Sequence, residues 1–184
     1  MEGSQPRKGG PPNEDAIYRE VGLFVIAFQA LQNQLFQLAS FALDPEHAGH
    51  GRRAVAGLWF SDLVHRTAIS VSDFLDQRGM DEAEFRAHLE ALLARCRELA
   101  HYRNRVVHSA YVFLEAGGEL VGILRSDMSR GAEPDEVELD QELLHEESFK
   151  EAMNEIAEVA FWIGQCRIQL IGWTGRDASP SQPA

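Results

Sequence analysis

The chain predicts an all-α protein: an up-down bundle of four long helices, with a β-hairpin inserted before the last. Three observations carry that fold class. Apolar residues recur at steps of three and four over four long stretches. Asp44-Pro45 and Arg78-Gly79 punctuate the first two of them. One segment, Tyr111 to Leu124, breaks the pattern with two runs rich in Val, Phe, Ile and Leu around Gly117-Gly118.

The elements follow in order. The opening MEGSQPRKGGPP has nothing to bury and reads, over 1–13, as a disordered tail. The folded domain is expected over 14–173. Its first helix runs from about Glu14 to Leu43, with Ile17, Val21, Phe24, Phe28, Leu31, Leu35, Leu38 and Ala42 on its apolar face and Asn13 or Asp15 as cap. The loop PEHAGHGRR follows. A second helix is expected from about Ala54 to Gln77, using Leu58, Val64, Ala68, Val71 and Leu75. The third starts at Asp81, carries Phe85, Leu89, Leu92, Cys96, Leu99 and Val106, and ends just past His108. The hairpin occupies about 110–125. SDMSRGAEPDEVELDQE reads as a polar, acidic connection. The last helix runs from about Leu144 to Trp173 on Phe149, Met153, Ile156, Ala160, Ile163 and Ile168. Residues 174–184 read as a second tail. Helices of this length bury their stripes best side by side, and the surplus of aromatic surface fits a dimer.

Composition narrows the function. With 184 residues the chain suits one domain with a real core. A net charge of −12 argues against coating nucleic acid, which needs Lys and Arg against phosphate, but leaves room for a small basic site. Cys96 and Cys166 lack any framework spacing and read as buried, reduced thiols. The run VGLFVIAFQAL, Val21 to Leu31, is too short to span a bilayer and lacks a basic leader. It reads as a core helix of a cytoplasmic protein, with no membrane partner.

Most polar clusters carry a plain reading. His47 and His50 form HAGH, but a metal needs three or four ligands and no further pair is near in sequence, so an exposed loop and no metal or cofactor are expected. Asp62, His65 and Asp73 read as pairs on a helix face. The acidic run Glu133 to Glu147 lacks calcium-loop spacing and reads as solvated. The stretch HYRNRVVHSAY, 101–111, is different. At about 100° per residue Arg97, His101, Asn104 and His108 share one stripe, with the Val-Val pair as packing. Arg103 lies about 140° round from His108. It meets a group near His108 only through its long side chain or from a second copy. A histidine moves protons near neutral pH and an arginine holds phosphate. With no cysteine and no carboxylate pair, the set suits metal-free chemistry on a phosphodiester. The plain alternative is a polar helix end, with Arg105 and His108 complementing the dipole.

Arg103-Asn104-Arg105-Val106-Val107-His108 resembles the R-N-x-x-x-H signature of the HEPN superfamily, at the end of the third long helix of a helical bundle. The resemblance implies a homodimer with two motifs facing each other and, in active members, a metal-independent endoribonuclease in a toxin or phage-defence system. It implies that His108 acts as base or acid on the ribose 2′-hydroxyl, that Arg103 stabilises the phosphorane-like transition state, and that Asn104 positions phosphate or imidazole. His101, Arg105 and Tyr111 are accessory, substrate-binding candidates. Where one toxin subgroup carries a modified tyrosine, this chain has Ala110, with Tyr111 one place later. The implied partners are RNA or a nucleotide, and an antitoxin or defence-system protein. Two further readings stay open: a non-catalytic HEPN-like dimer that binds a nucleotide or a protein, and a helical interaction module.

Overall fold

A computed structural model of the chain describes residues 14–130, 137–145 and 147–177. The tails expected at 1–13 and beyond Asp177, and the middle of the acidic run, lie outside the described residues. The elements are α1 (Glu14–Leu43), α2 (Ala48–Val55), α3 (Phe60–Gln77), α4 (Ala83–His108), β1 (Ala110–Ala116), β2 (Glu119–Arg130), β3 (Val137–Leu143) and α5 (Lys150–Asp177). The expected class is what the chain forms: a mostly helical protein with strands inserted before the last helix. It divides into two compact units. One holds Ile26–Arg103 and the residues from Ala152 on; the other holds the residues up to Val25 and Asn104–Glu151.

The first unit is the helical core. Leu31, Leu35, Leu38, Val71, Phe74, Leu75, Leu92, Cys96, Ile156, Val159, Ile163 and Leu170 are all buried. Each fully buried Leu or Phe contributes about 1.5–3 kcal/mol of transfer free energy. Phe28 of α1 meets Phe60 of α3 with ring centroids 4.6 Å apart, and Phe41 meets Phe74 at 6.2 Å. Those pairs advance together, so α1 and α3 run in the same direction. The short α2 makes this possible by carrying the chain back along α1. Up-down alternation then holds from α3 through α4 to α5. Phe85 near the start of α4 meets Trp173 near the end of α5 at 5.0 Å. Further along, Arg95 lies 3.2 Å from Glu155 and 3.2 Å from Glu158. α5 also packs on α1, where Arg167 donates a hydrogen bond to the Gln37 amide oxygen.

α2 corrects the expected loop over PEHAGHGRR, and the second long helix begins at Phe60 rather than Ala54. AGHGRRAV has no apolar stripe: Val55 is buried at its end and Gly51 in its middle. Contact rather than periodicity makes it a helix: a Cβ on Gly51 would stand 2.0 Å from the Ser40 carbonyl oxygen of α1. α3 closes as the sequence suggests. Gly79 adopts φ +63°, and Gly79 and Met80 donate backbone hydrogen bonds to Asp76 (3.0 Å) and Leu75 (3.0 Å), a Schellman ending. The register of α5 also differs. Ile156, Val159, Ile163, Cys166, Leu170 and Trp173 are buried, while Ile168 is 55% exposed.

The second unit is built around an antiparallel sheet in the order β1-β2-β3. Gly117 and Gly118 both take positive φ (65° and 85°) and close a two-residue turn of the kind hairpins favour. Tyr111 pairs with Arg125 and Phe113 with Ile123; a register shift after Leu114 then skips Val121. β3 was expected as solvated connection. It pairs instead with β2, matching Arg125 to Glu142 and Asp127 to Asp140. The sheet face carrying Phe113 meets Tyr18 of α1 at 6.4 Å between rings. Phe24 of α1 meets Phe149 at 5.6 Å.

Two predictions follow from packing. Gly51→Ala should destabilise the protein by about 1–3 kcal/mol through overpacking against α1. Gly49→Ala, in the same helix with nothing within 4 Å of its Cβ, should instead stabilise it by about 0.5–1 kcal/mol; thermal melts of the two variants check the opposite signs. Burial pushes the Cys96 thiol up to about 12 and the Cys166 thiol up to about 11. Neither should react with a thiol reagent at pH 8 in the native protein, and both should react after denaturation.

Candidate functional site

α4 runs unbroken through every residue of the proposed motif, so helix pitch dictates where each side chain goes. Leu99 and Val106 are buried and mark its inner side. His101, Asn104 and His108 are exposed on the other side, with Arg97 on the same stripe. Arg103 lies towards the inner side. It is half-buried, with its guanidinium carbon 5.9 Å from the centroid of the Phe28 ring, within the range of a cation–π contact. The Val-Val pair splits: Val106 is 1% exposed and Val107 is 40% exposed.

The remaining polar groups of the stretch fasten the sheet. The Tyr111 hydroxyl of β1 donates to the Val106 carbonyl oxygen. Ser109 donates through Oγ to the carbonyl of Arg105 and through its backbone N–H to the same oxygen at 3.1 Å. Arg105 reaches two carboxylates of the sheet, Asp140 and, at 3.6 Å, Asp127. The guanidinium proposed to help hold a substrate is thus engaged by acidic partners, and Tyr111 serves as a strut. The sequence offered no sign of this, because the carboxylates come from β2 and β3, about 20 and 35 positions away.

Arg125 lies beside this pair on the same sheet face and was not singled out from sequence. It is 2% exposed, with Nη2 2.8 Å from Glu142 and 3.7 Å from Asp140. Among the described residues, its Nε and Nη1 atoms are buried without hydrogen-bond partners. A buried cation with three of its five N–H donors unmet depends on its carboxylate.

A second polar cluster lies in the helical unit. Asp44, at the end of α1, stands 3.3 Å from His47 Nδ1 and 3.3 Å from His50 Nδ1, on separate carboxylate oxygens. The His47 backbone N–H donates to Asp44 at 2.8 Å. Partial burial pushes the Asp44 carboxyl up, but that N–H and the two imidazoles outweigh it and hold the group below the ordinary carboxylate range. A groove between α1 and the α2–α3 turn is lined by Gln29, Gln32, Asn33, Phe36, Trp59 and Leu63, and contains no motif residue.

No family model matches the chain, nor does any curated protein or solved structure. The likeness to the HEPN superfamily therefore rests on RNRVVH and its place at the end of α4.

The sheet cluster gives a prediction of unequal costs. Glu142→Ala should destabilise by about 3 kcal/mol, because it strands the Arg125 charge. Arg125→Met removes the buried cation and leaves its acidic partners free to face water, so it should cost far less or stabilise. Urea unfolding of both variants measures the difference.

Proposed function

We propose that the protein is a HEPN-like, metal-independent endoribonuclease that acts as a cytoplasmic homodimer, in a toxin or phage-defence role. The observation that carries this reading is the geometry of α4. Asn104 and His108 lie one turn apart on its exposed face, while Arg103 projects from near the buried side. In this reading His108 takes the proton from a ribose 2′-hydroxyl as that oxygen attacks the adjacent phosphorus. The bond to the 5′-oxygen breaks and the departing oxygen takes a proton from solvent water, giving a 2′,3′-cyclic phosphate and a 5′-hydroxyl, while His108 later returns its proton to solvent. Arg103 balances the charge that builds on the non-bridging oxygens, and Asn104 holds the phosphate or the imidazole.

The homodimer supplies what one chain lacks. Two copies related by a twofold axis set the Arg103 of one beside the His108 of the other. Phe161, Ile168 and Ile171 leave apolar surface exposed on α5 (57%, 55% and 46%), which gives a second copy something to bury. The reading of a cytoplasmic protein rests on the fate of α1. By length and apolar content this helix is able to cross a membrane, with 28% of its most apolar window buried: Ile17, Phe24, Phe28, Leu31, Leu35 and Leu38 are buried against protein, while Leu23, Val25 and Ile26 are exposed.

A second reading has its own support. Arg105 is neutralised by Asp127 and Asp140, and the whole chain is acidic, which favours a non-catalytic dimer that binds a nucleotide or a protein partner over one that grips long RNA.

The test separates them. Purified protein with chelator present should cleave RNA over many turnovers and leave 2′,3′-cyclic phosphate ends. His108→Ala and Arg103→Ala should each lower the rate by roughly 100-fold or more. Cleavage that persists in His108→Ala, or that is absent from the wild type while a nucleotide binds, favours the second reading.

A further inference from the structure

The strongest unassigned chemistry lies at the junction of α1 and α2. Asp44, His47 and His50 follow one another at steps of three, and the turn into α2 folds them onto one point. One ligand atom from each lies within 4.8 Å of the others. The two Nδ1 atoms do not share an oxygen: His47 takes Oδ1 of Asp44 and His50 takes Oδ2, each at 3.3 Å. For a tetrahedral ion with bonds near 2.1 Å the distance between ligand atoms is about 3.4 Å. Each imidazole already lies at about that distance from one carboxylate oxygen, though not the same one, and a single oxygen serving both needs only a turn of the Asp44 carboxylate, since one ligand atom from each residue lies within 4.8 Å of the others. The third edge, between the imidazoles, closes by rotation of two exposed rings whose centroids lie 5.8 Å apart.

The backbone around the three is held in place. His50 donates to the His47 carbonyl at 2.9 Å, and Asp44 donates to the Ser40 carbonyl at 3.3 Å. Gly51, next to His50, sits directly on that same Ser40 carbonyl. These backbone contacts fix the spacing of the three ligand positions, which lowers the ordering cost of binding.

We infer that Asp44, His47 and His50 form a binding site for a divalent late transition-metal ion, zinc foremost, which pins α2 to the end of α1. Two neutral imidazole nitrogens and one carboxylate oxygen are the donors such ions prefer; calcium and magnesium favour oxygen alone. The protein supplies three ligands and water completes the tetrahedron, as at open zinc sites. Proton competition weakens binding as pH falls, because both imidazoles must be neutral. A simple ion pair between protonated histidines and Asp44 behaves in the opposite way and strengthens on acidification.

The test uses the full chain without an affinity tag, stripped by chelator and titrated with zinc by calorimetry at pH 7.5 and pH 5.5. One zinc per chain should bind at pH 7.5, with a rise in melting temperature that magnesium does not produce, and binding should fall sharply at pH 5.5. Cobalt should give the visible absorption of a tetrahedral site. Asp44→Asn, His47→Gln and His50→Gln should each weaken zinc binding by tenfold or more, while His65→Gln, an exposed histidine on α3 outside the cluster, should leave it unchanged. All three affected side chains reach solvent, and circular dichroism checks that each variant keeps its helices. Absence of zinc binding to the wild type overturns the inference. So does binding that survives His50→Gln or falls equally in His65→Gln.

Discussion

The pitch of α4 is the constraint on which the rest depends. His108 lies five positions after Arg103, and an unbroken α-helix turns that step into an angle of about 140°. Nothing in α4 relieves it, because the helix continues to His108. Val106 fixes the rotation of the helix by burying itself completely. Arg103 then falls over Phe28 and His108 turns outward. Any chemistry that uses both groups on one phosphate must bring them together from different copies, or extend one long side chain around the helix.

The same stretch carries a structural burden, and this explains its density of polar groups. Tyr111 ties β1 to the last turn of α4 through the Val106 carbonyl. Arg105 ties that turn to β2 and β3 through Asp127 and Asp140. Arg125, buried beside them, is balanced by Glu142. Of the titratable and hydrogen-bonding residues in HYRNRVVHSAY, those that hold the sheet and those left facing outward are interleaved along the chain but separate in space. The acidity of β3 is then partly local compensation for two arginines, rather than a feature aimed at a partner.

What was legible in the sequence follows the strength of each local signal. α1 and α4 were readable because long apolar stripes dominate them, and the hairpin because only Gly117-Gly118 tolerates its turn. α2 was not readable. It has two glycines and no stripe, and it depends on the contact of Gly51 with a distant carbonyl. β3 was hidden because its alternation of Val, Leu and acidic residues looks solvated until Arg105 and Arg125 are seen to need those carboxylates. In α5 several apolar residues compete for the inward side, and Ile168 was assigned there when Cys166 and Leu170 occupy it. At the candidate site the angular placement of Arg103, Asn104 and His108 was readable from helix geometry. The engagement of Arg105 was not, and neither was the meeting of Asp44 with His47 and His50, since Asp44-Pro45 reads first as a helix stop.

The central claim is that Arg103 and His108 serve one site from two chains. The direct test is complementation in RNA cleavage. Arg103→Ala protein and His108→Ala protein, each inactive alone, are mixed and allowed to exchange subunits. If the site is shared, each mixed dimer regains one intact pair, and an equal mixture recovers about a quarter of the wild-type rate, since half the dimers are mixed and half their sites are whole. A mixture that stays as inactive as its components, under conditions where the subunits demonstrably exchange and the wild type cleaves, contradicts the account.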